Sequence, residues 1–240
     1  MSSRPELRLD WCSHEAAKYA VEKWHYSRCI PKSKLVKIGV WENQMFVGVV
    51  IFGLGATSKL VSPYGLQQTE GCELVRVALS KHETPVSRIV SIAIRLLKKQ
   101  SPGLRLIVSF ADPEQNHHGG IYKAGGWIYA GKSSCAQEFV VLGKRWHGRS
   151  LRNGKPKEMT TLEYAKKLDP SFRVIMGSSK HRYLMPLDRE MRTRISHISR
   201  PYPKRAGSAD SGTTDFQSVR GGATPTPALS DNERRSDGPA

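Results

Sequence analysis

Residues 104–131 read LRLIVSFADPEQNHHGGIYKAGGWIYAG, and the way this stretch is parsed decides the fold. Leu104 to Phe110 is a short apolar run with β-branched residues, which predicts a buried strand. It stops at Ala111-Asp112-Pro113, because a proline cannot donate to a sheet ladder. Asp112 is therefore a carboxylate at the mouth of a strand, where α/β folds place their chemistry. A polar loop follows with Asn116, His117, His118, Gly119 and Gly120. Ile121 to Ala124 then predicts a short helix stopped by Gly125-Gly126. Trp127 to Ala130 returns as a strand.

Towards the N-terminus, Leu7 to Trp11 predicts a first strand. Ser13 is a candidate N-cap for a helix to about Tyr26, with Ala16, Ala17, Ala20, Val21 and Trp24 at helical spacing. The helix ends on Trp24-His25-Tyr26, three large rings that are costly to expose. Arg28 to Lys34 is a basic loop. Val36 to Trp41 and Met45 to Leu54 read as a hairpin joined by Glu42-Asn43-Gln44. Glu73 to Leu79 is a further strand, in which a half-buried Arg76 needs an anionic partner or a ligand. Ile89, Ile92, Ala93, Leu96 and Leu97 mark an amphipathic helix that opens near Pro85 and Ser87.

Towards the C-terminus, Glu138 to Leu142 predicts a strand. Lys144 to Lys157 then interleaves basic and aromatic residues with glycine and has no acid until Glu158. That pattern suits a loop on a phosphate backbone. Thr160 to Leu168 is a short helix, and Lys180 to Met185 is a last strand with basic flanks. The order of elements gives an α/β domain with a mixed central sheet flanked by helices and a basic loop insertion. From Asp188 the apolar content collapses, so residues 188–240 are expected to be a disordered tail and residues 1–187 the domain.

The 240 residues carry a formal net charge of +17, most of it before Leu187. A body that basic suggests a polyanionic partner, nucleic acid first. No long apolar run or lysine-rich amphipathic helix supports a membrane. Cys12, Cys29, Cys72 and Cys135 are scattered without a CxxC pair, which argues against a zinc ribbon. Met1 to Asp10 is polar and lacks the core of a signal peptide, so a reducing, cytoplasmic location with free thiols is expected.

The order of elements, with Glu73-Leu74-Val75-Arg76-Val77 before a helix and Tyr122-Lys123-Ala124-Gly125-Gly126-Trp127 later, resembles the GNAT acyltransferase fold. More closely, the chain resembles the bacteriophage Mom family of DNA-modifying proteins. The pieces are Glu22-Lys23-Trp24-His25-Tyr26, Glu73-Leu74-Val75-Arg76, Ser109-Phe110-Ala111-Asp112, Gly120-Ile121-Tyr122-Lys123-Ala124 and Lys180-His181-Arg182-Tyr183. This resemblance implies a DNA modification that converts the exocyclic amine of adenine to its carbamoylmethyl (acetamido) derivative and shields DNA from restriction enzymes. It points to His25, Tyr26, Asp112 and Tyr122 as functional residues and to double-stranded DNA as partner. It also implies iron(II), for which His25 and Asp112 are candidate ligands, with His117 or His118 as a second imidazole. GNAT enzymes carry a glycine-rich pyrophosphate loop before their third helix. Here Lys81 to Arg88 has no glycine, which counts against acyl-CoA as the donor. The alternative is a GNAT-like acyltransferase acting on a protein or small amine, with the basic surface binding an acidic partner.

The adenine amine is a poor nucleophile, because its lone pair is delocalised into the ring. A proton must leave as the new bond forms. Asp112 is a candidate base, Tyr122 a hydrogen-bond donor or positioning group, and His25 a base, orienter or ligand. An amine stacked inside a duplex is generally reached by extruding the base. Trp24, Tyr26, Trp127 and Tyr129 are available to stack on it, two of them at least as plain core residues. Arg145, Arg149, Arg152, Lys180 and Arg182 are the candidate DNA-binding cations.

Overall fold

The computed structural model describes residues 4–55, 57 and 59–203. The chain runs β1 (Leu7–Trp11), α1 (His14–Trp24), β2 (Leu35–Glu42), β3 (Met45–Gly53), β4 (Gly71–Leu79), α2 (Val86–Gln100), β5 (Leu106–Ala111) and α3 (Gly120–Ala124). It continues through β6 (Ile128–Lys132), β7 (Gln137–Val141), β8 (Lys144–His147), α4 (Gly148–Gly154), α5 (Thr161–Leu168), β9 (Arg173–Met176), β10 (His181–Pro186) and α6 (Arg189–Arg194). Seven strands form one sheet in the order β1-β2-β3-β4-β5-β10-β6, and β8-β7-β9 form a second, smaller one. In the large sheet β4 and β5 run parallel and the other neighbours antiparallel. This is the mixed central sheet that the order of elements called for.

Helices close both faces of that sheet. The Ser13 hydroxyl accepts the Ala16 N–H at the start of α1, a cap worth about 1 kcal/mol. Ala17, Ala20 and Val21 of α1 pack on Val49, Ile51 and Ala78. On the other face α2 buries Ile89, Val90, Ala93, Ile94 and Leu97 against Val50, Phe52 and Leu74. Each such side chain contributes roughly 1.5–3 kcal/mol of transfer free energy.

Two expectations change. Residues 188–203 are part of the domain. Asp188 caps α6 by accepting the Met191 N–H at 2.7 Å and pairs with Arg105 at 3.0 Å. Met191 and Ile195 lie fully buried beside Val61, Leu106, Val108 and Leu184. Further on, the Tyr202 hydroxyl donates to the Trp127 carbonyl, and the Arg200 N–H to the Tyr129 carbonyl at 2.9 Å. The composition of 188–240 as a whole concealed this, because two apolar side chains one helical turn apart suffice to dock a short helix. The rest of the expected tail, 204–240, lies outside the described residues.

The stretch expected to be a basic loop is folded as well. Leu142 and Gly143, with φ of 50° and 71°, form a tight turn between β7 and β8. A primed hairpin turn needs this left-handed backbone at both positions. Leu151 of α4 and Ala165 of α5 then cover Phe139 and Val141 of β7. The basic insertion is thus a small module of sheet and helices that leaves the large sheet after β6 and returns at β10. Its neck is tied by the Ser133 N–H to the Lys180 carbonyl at 2.8 Å and the Gly177 N–H to the Ala136 carbonyl at 2.8 Å.

Candidate active-site crevice and its surroundings

The parallel pairing of β4 and β5 runs from Gly71↔Leu106 to Leu74↔Ser109 and ends there, so the two strands part. Ser109 stands at the fork, 1 % exposed, and its hydroxyl donates to the Leu74 carbonyl at 2.9 Å. The Tyr122 hydroxyl reaches the same Ser109 oxygen at 2.8 Å from α3. Ser109 has only one proton, so Tyr122 is the donor in this pair. Burial pushes the Tyr122 phenol up to about 12. Its proton is committed inside the fold, and Tyr122 braces the fork. The hydrogen-bond donor role expected for it is not available in this arrangement.

Above the fork lie residues from three separate elements. His25 ends α1, and its ring is 4.3 Å from that of Tyr26. Tyr26 meets His117, from the loop after β5, edge to face at 5.3 Å. His25 Nδ1 accepts the Ser27 N–H at 3.1 Å, which assigns the proton of the neutral ring to Nε2. Burial, then the positive field of Arg76 and the neighbouring His117, depress His25 to about 4, so it is neutral at pH 7. Burial also lowers His117, opposed by the nearby Asp112 carboxylate. The guanidinium of Arg76 on β4 donates to the carbonyls of Val75 at 2.6 Å and Cys29 at 3.4 Å. The Glu73 carboxylate belongs to the same region, close enough to Tyr122 to raise its phenol further.

Tyr26 keeps about half its surface exposed, at 47 %, and is the aromatic face on offer to a ligand. Trp127 and Tyr129 are buried core residues. Trp24 packs on Tyr19 and Phe46.

The structure therefore brings His25, Tyr26 and Tyr122 together and places Asp112 one layer behind them. Asp112 accepts the Glu114 N–H at 3.1 Å as the cap of a 3-10 turn, and its other oxygen pairs with Lys180 at 3.2 Å. Its route to the crevice is electrostatic, through His117. In sequence, His117 reads only as a candidate metal ligand. Its position between a strand-end carboxylate and the helix-end tyrosine depends on how two segments 91 residues apart meet. No local signal carries that.

The side chains present do not match the implied iron(II). Among the described residues, no group of three or more His, Cys, Asp or Glu is placed to hold a metal ion. His25 turns Nδ1 to Ser27, and both Asp112 oxygens are engaged, so the expected iron ligands are not presented together. For acyl-CoA, the place to test is the segment leading into α2. There the Glu42 carboxylate, only 5 % exposed, accepts the N–H groups of Glu83 and Thr84, both at 2.8 Å. These are backbone donors of the kind a pyrophosphate uses at a helix start. Burial raises the Glu42 carboxyl, but the Thr84 and Glu83 hydrogen bonds outweigh it and hold the group below its usual value. The anion-binding corner is already filled from within.

The five candidate DNA-binding cations divide. Arg145 bonds both Glu138 and, at 3.1 Å, Glu114, so it ties the inserted module to the loop after β5. Lys180 pairs with Asp112. Arg182 donates to the Tyr64 hydroxyl at 3.3 Å and the Lys132 carbonyl at 3.5 Å. Arg149 and Arg152 line an open cavity on the module. All four cysteines are free. Among the described residues, no helix is long and apolar enough to cross a membrane.

Fold and site together define a mixed-sheet α/β protein with imidazole and tyrosine side chains gathered where its two parallel strands part. The chain belongs to the Mom protein family, whose model matches residues 6–204. The methylcarbamoylase Mom of Escherichia phage Mu is 24% identical over 206 residues, 83% of this chain and 84% of that protein. Among solved structures, FeeM, an N-acyl amino acid synthase from uncultured soil microbes, superposes with a TM-score of 0.44 at 10% identity. That match covers 81% of this chain and 97% of the other. A Bacillus subtilis acetyltransferase in complex with CoA gives a TM-score of 0.40 at 13% identity, over 77% of this chain and 100% of that one.

Proposed function

We propose that this chain modifies double-stranded DNA by adding a carbamoylmethyl group to the exocyclic amine of adenine, and so protects it from restriction enzymes. The observation that carries this reading is the convergence of His25, Tyr26 and His117 over the Tyr122–Ser109 brace. Membership of the Mom family and the likeness to a methylcarbamoylase support reading DNA as the substrate of that crevice.

Each residue has a part that its geometry permits. The exposed ring of Tyr26 stacks on an adenine extruded from the duplex. Neutral His25 donates from Nε2 to an acceptor on the base or on the incoming group. As the new N–C bond forms, the bond between the donor's methylene carbon and its leaving group breaks and the leaving group departs with the electron pair; the amine loses a proton, and neutral His117 takes it. The Asp112 carboxylate stabilises the imidazolium that results, the direction in which it already biases that ring. Tyr122 and Ser109 hold the fork open at fixed width.

The acyl-CoA alternative draws no support from the α2 start, where Glu42 takes the place a pyrophosphate would need. The test is mass spectrometry of nucleosides from cells expressing the protein. Carbamoylmethyl-adenine with the wild type, and its loss with Tyr26→Ala and His117→Ala at unchanged melting temperature, is the expected result. Unmodified adenine with the wild type would refute the reading.

A further inference from the structure

The inserted module bears a feature that the crevice chemistry does not use. Between Gln137 and Met176 the sequence has nine Lys or Arg against four Asp or Glu. Three of those acids are consumed internally. Glu138 is held by Arg145, Glu163 accepts the Thr160 N–H at 2.7 Å, and Asp169 accepts the Leu142 and Ser171 N–H groups, both at 2.8 Å. Among the described residues, no ion pair is formed by Arg149 or Arg152, and both are exposed.

Both arginines face an open cavity of about 260 Å³ on the module, whose wall includes Gln137, Phe139, His147 and Thr161. No carboxylate lines it. His147 Nδ1 accepts the Arg149 N–H at 3.1 Å, which leaves Nε2 of the neutral ring as a donor. Burial lowers His147, and Arg149, Lys180 and Arg152 lower it further, with Glu138 opposing. Lys180 is thus electrostatically close to this cavity while it pairs with Asp112. A positive, donor-rich hollow is joined through one lysine to the loop that supplies His117.

We propose that this cavity is a phosphodiester subsite, in which Arg149, Arg152, His147 and Thr161 seat one backbone phosphate of the DNA beside the nucleotide being modified. The chemistry fits a phosphate diester: guanidinium forks bind its anionic oxygens in pairs, and the hydroxyl and imidazole supply neutral donors. The module then acts as a register stop. It fixes the backbone while Arg145, clamped on Glu114, holds it at a set distance from the crevice. This rests on the DNA reading above.

The experiment titrates a fluorescent 20-base-pair duplex with the full chain at several salt concentrations. It compares the wild type, Arg149→Gln/Arg152→Gln, and a charge-matched control, Arg95→Gln/Lys99→Gln, on α2. Each lost phosphate contact removes roughly 0.9 from the slope of log K against log salt, so losing the one phosphate held by the arginine pair is expected to lower it by roughly 0.9. The control should leave the slope unchanged, and excess inorganic phosphate should compete only weakly. An arginine-pair slope equal to the wild type, or an equal loss in the control, overturns the subsite. A wild-type protein that does not bind the duplex overturns the DNA reading instead.

Discussion

The Tyr122 hydroxyl sits 2.8 Å from the Ser109 hydroxyl, and Ser109 passes its own proton to the Leu74 carbonyl at 2.9 Å. One phenol thereby spans the place where β4 and β5 separate. Tyr122→Phe removes this bond and leaves Ser109 paired to Leu74. The expected cost is about 0.5–1.5 kcal/mol in a denaturant melt, with adenine modification reduced but present. Complete loss of modification at full stability would make Tyr122 a proton donor to substrate.

Asp112 and His117 separate base from helper. His117→Ala should lower the modification rate by roughly 10²–10⁴, the usual share of a general base. Asp112→Asn should cost less, because it acts through the His117 ring, and its exposed Lys180 partner contributes no more than about 1 kcal/mol to stability. Single-turnover rates on a duplex, with a melting curve for each variant, decide the matter. A larger loss in Asp112→Asn than in His117→Ala would move the base to Asp112.

His25 gives a signature in stability against pH. Its folded value of about 4 lies below the unfolded value of 6.5. The unfolded chain therefore binds the proton first as pH falls. The contribution is fully present above pH 6.5, and it is lost progressively down to about pH 4. After solvent screening a loss on the order of 1–2 kcal/mol is expected. Urea melts between pH 4 and 8 should show the wild type losing more stability on acidification than His25→Gln. Parallel curves would mean that His25 is not buried as a neutral ring.

Glu42 fills the backbone donors ahead of α2, so coenzyme A should give no binding heat with the wild-type protein in calorimetry. Glu42→Gln can accept from only one of the two N–H groups and should lose roughly 1–3 kcal/mol. Measurable CoA affinity in the wild type would show that the carboxylate yields its place to a pyrophosphate.

The segment after β10 carries weight. Met191→Ala should cost about 2–5 kcal/mol, as for any fully buried long side chain. Truncation after Leu187 should cost more, because it also unpairs Arg105 and exposes the surface under Ile195. Truncation after Pro203 removes none of these contacts. Chemical denaturation of the three forms tests the ranking, and a Leu187 truncation as stable as the wild type would contradict it.

The sequence by itself determined most elements of this protein. Period-two and 3.6-residue patterns, Ser13 as a cap, Pro113 as a strand stop and Gly125-Gly126 as a helix stop are local, and local rules read them. The order of those elements was enough for a mixed sheet with helices on both faces, and five short motifs pointed to the Mom family. Tertiary structure alone decided three things. It showed that β4 and β5 part at Leu74 and Ser109, which depends on strand pairing between distant segments. It placed His117 against Tyr26 and set Asp112 behind it, paired with Lys180, although all four had been visible as residues. It also showed that the Lys144–Lys157 stretch folds around Leu151 and that Met191 and Ile195 dock α6. In the last of these a few apolar side chains found a surface built by remote parts of the chain, and composition averaged over a window does not register such a match.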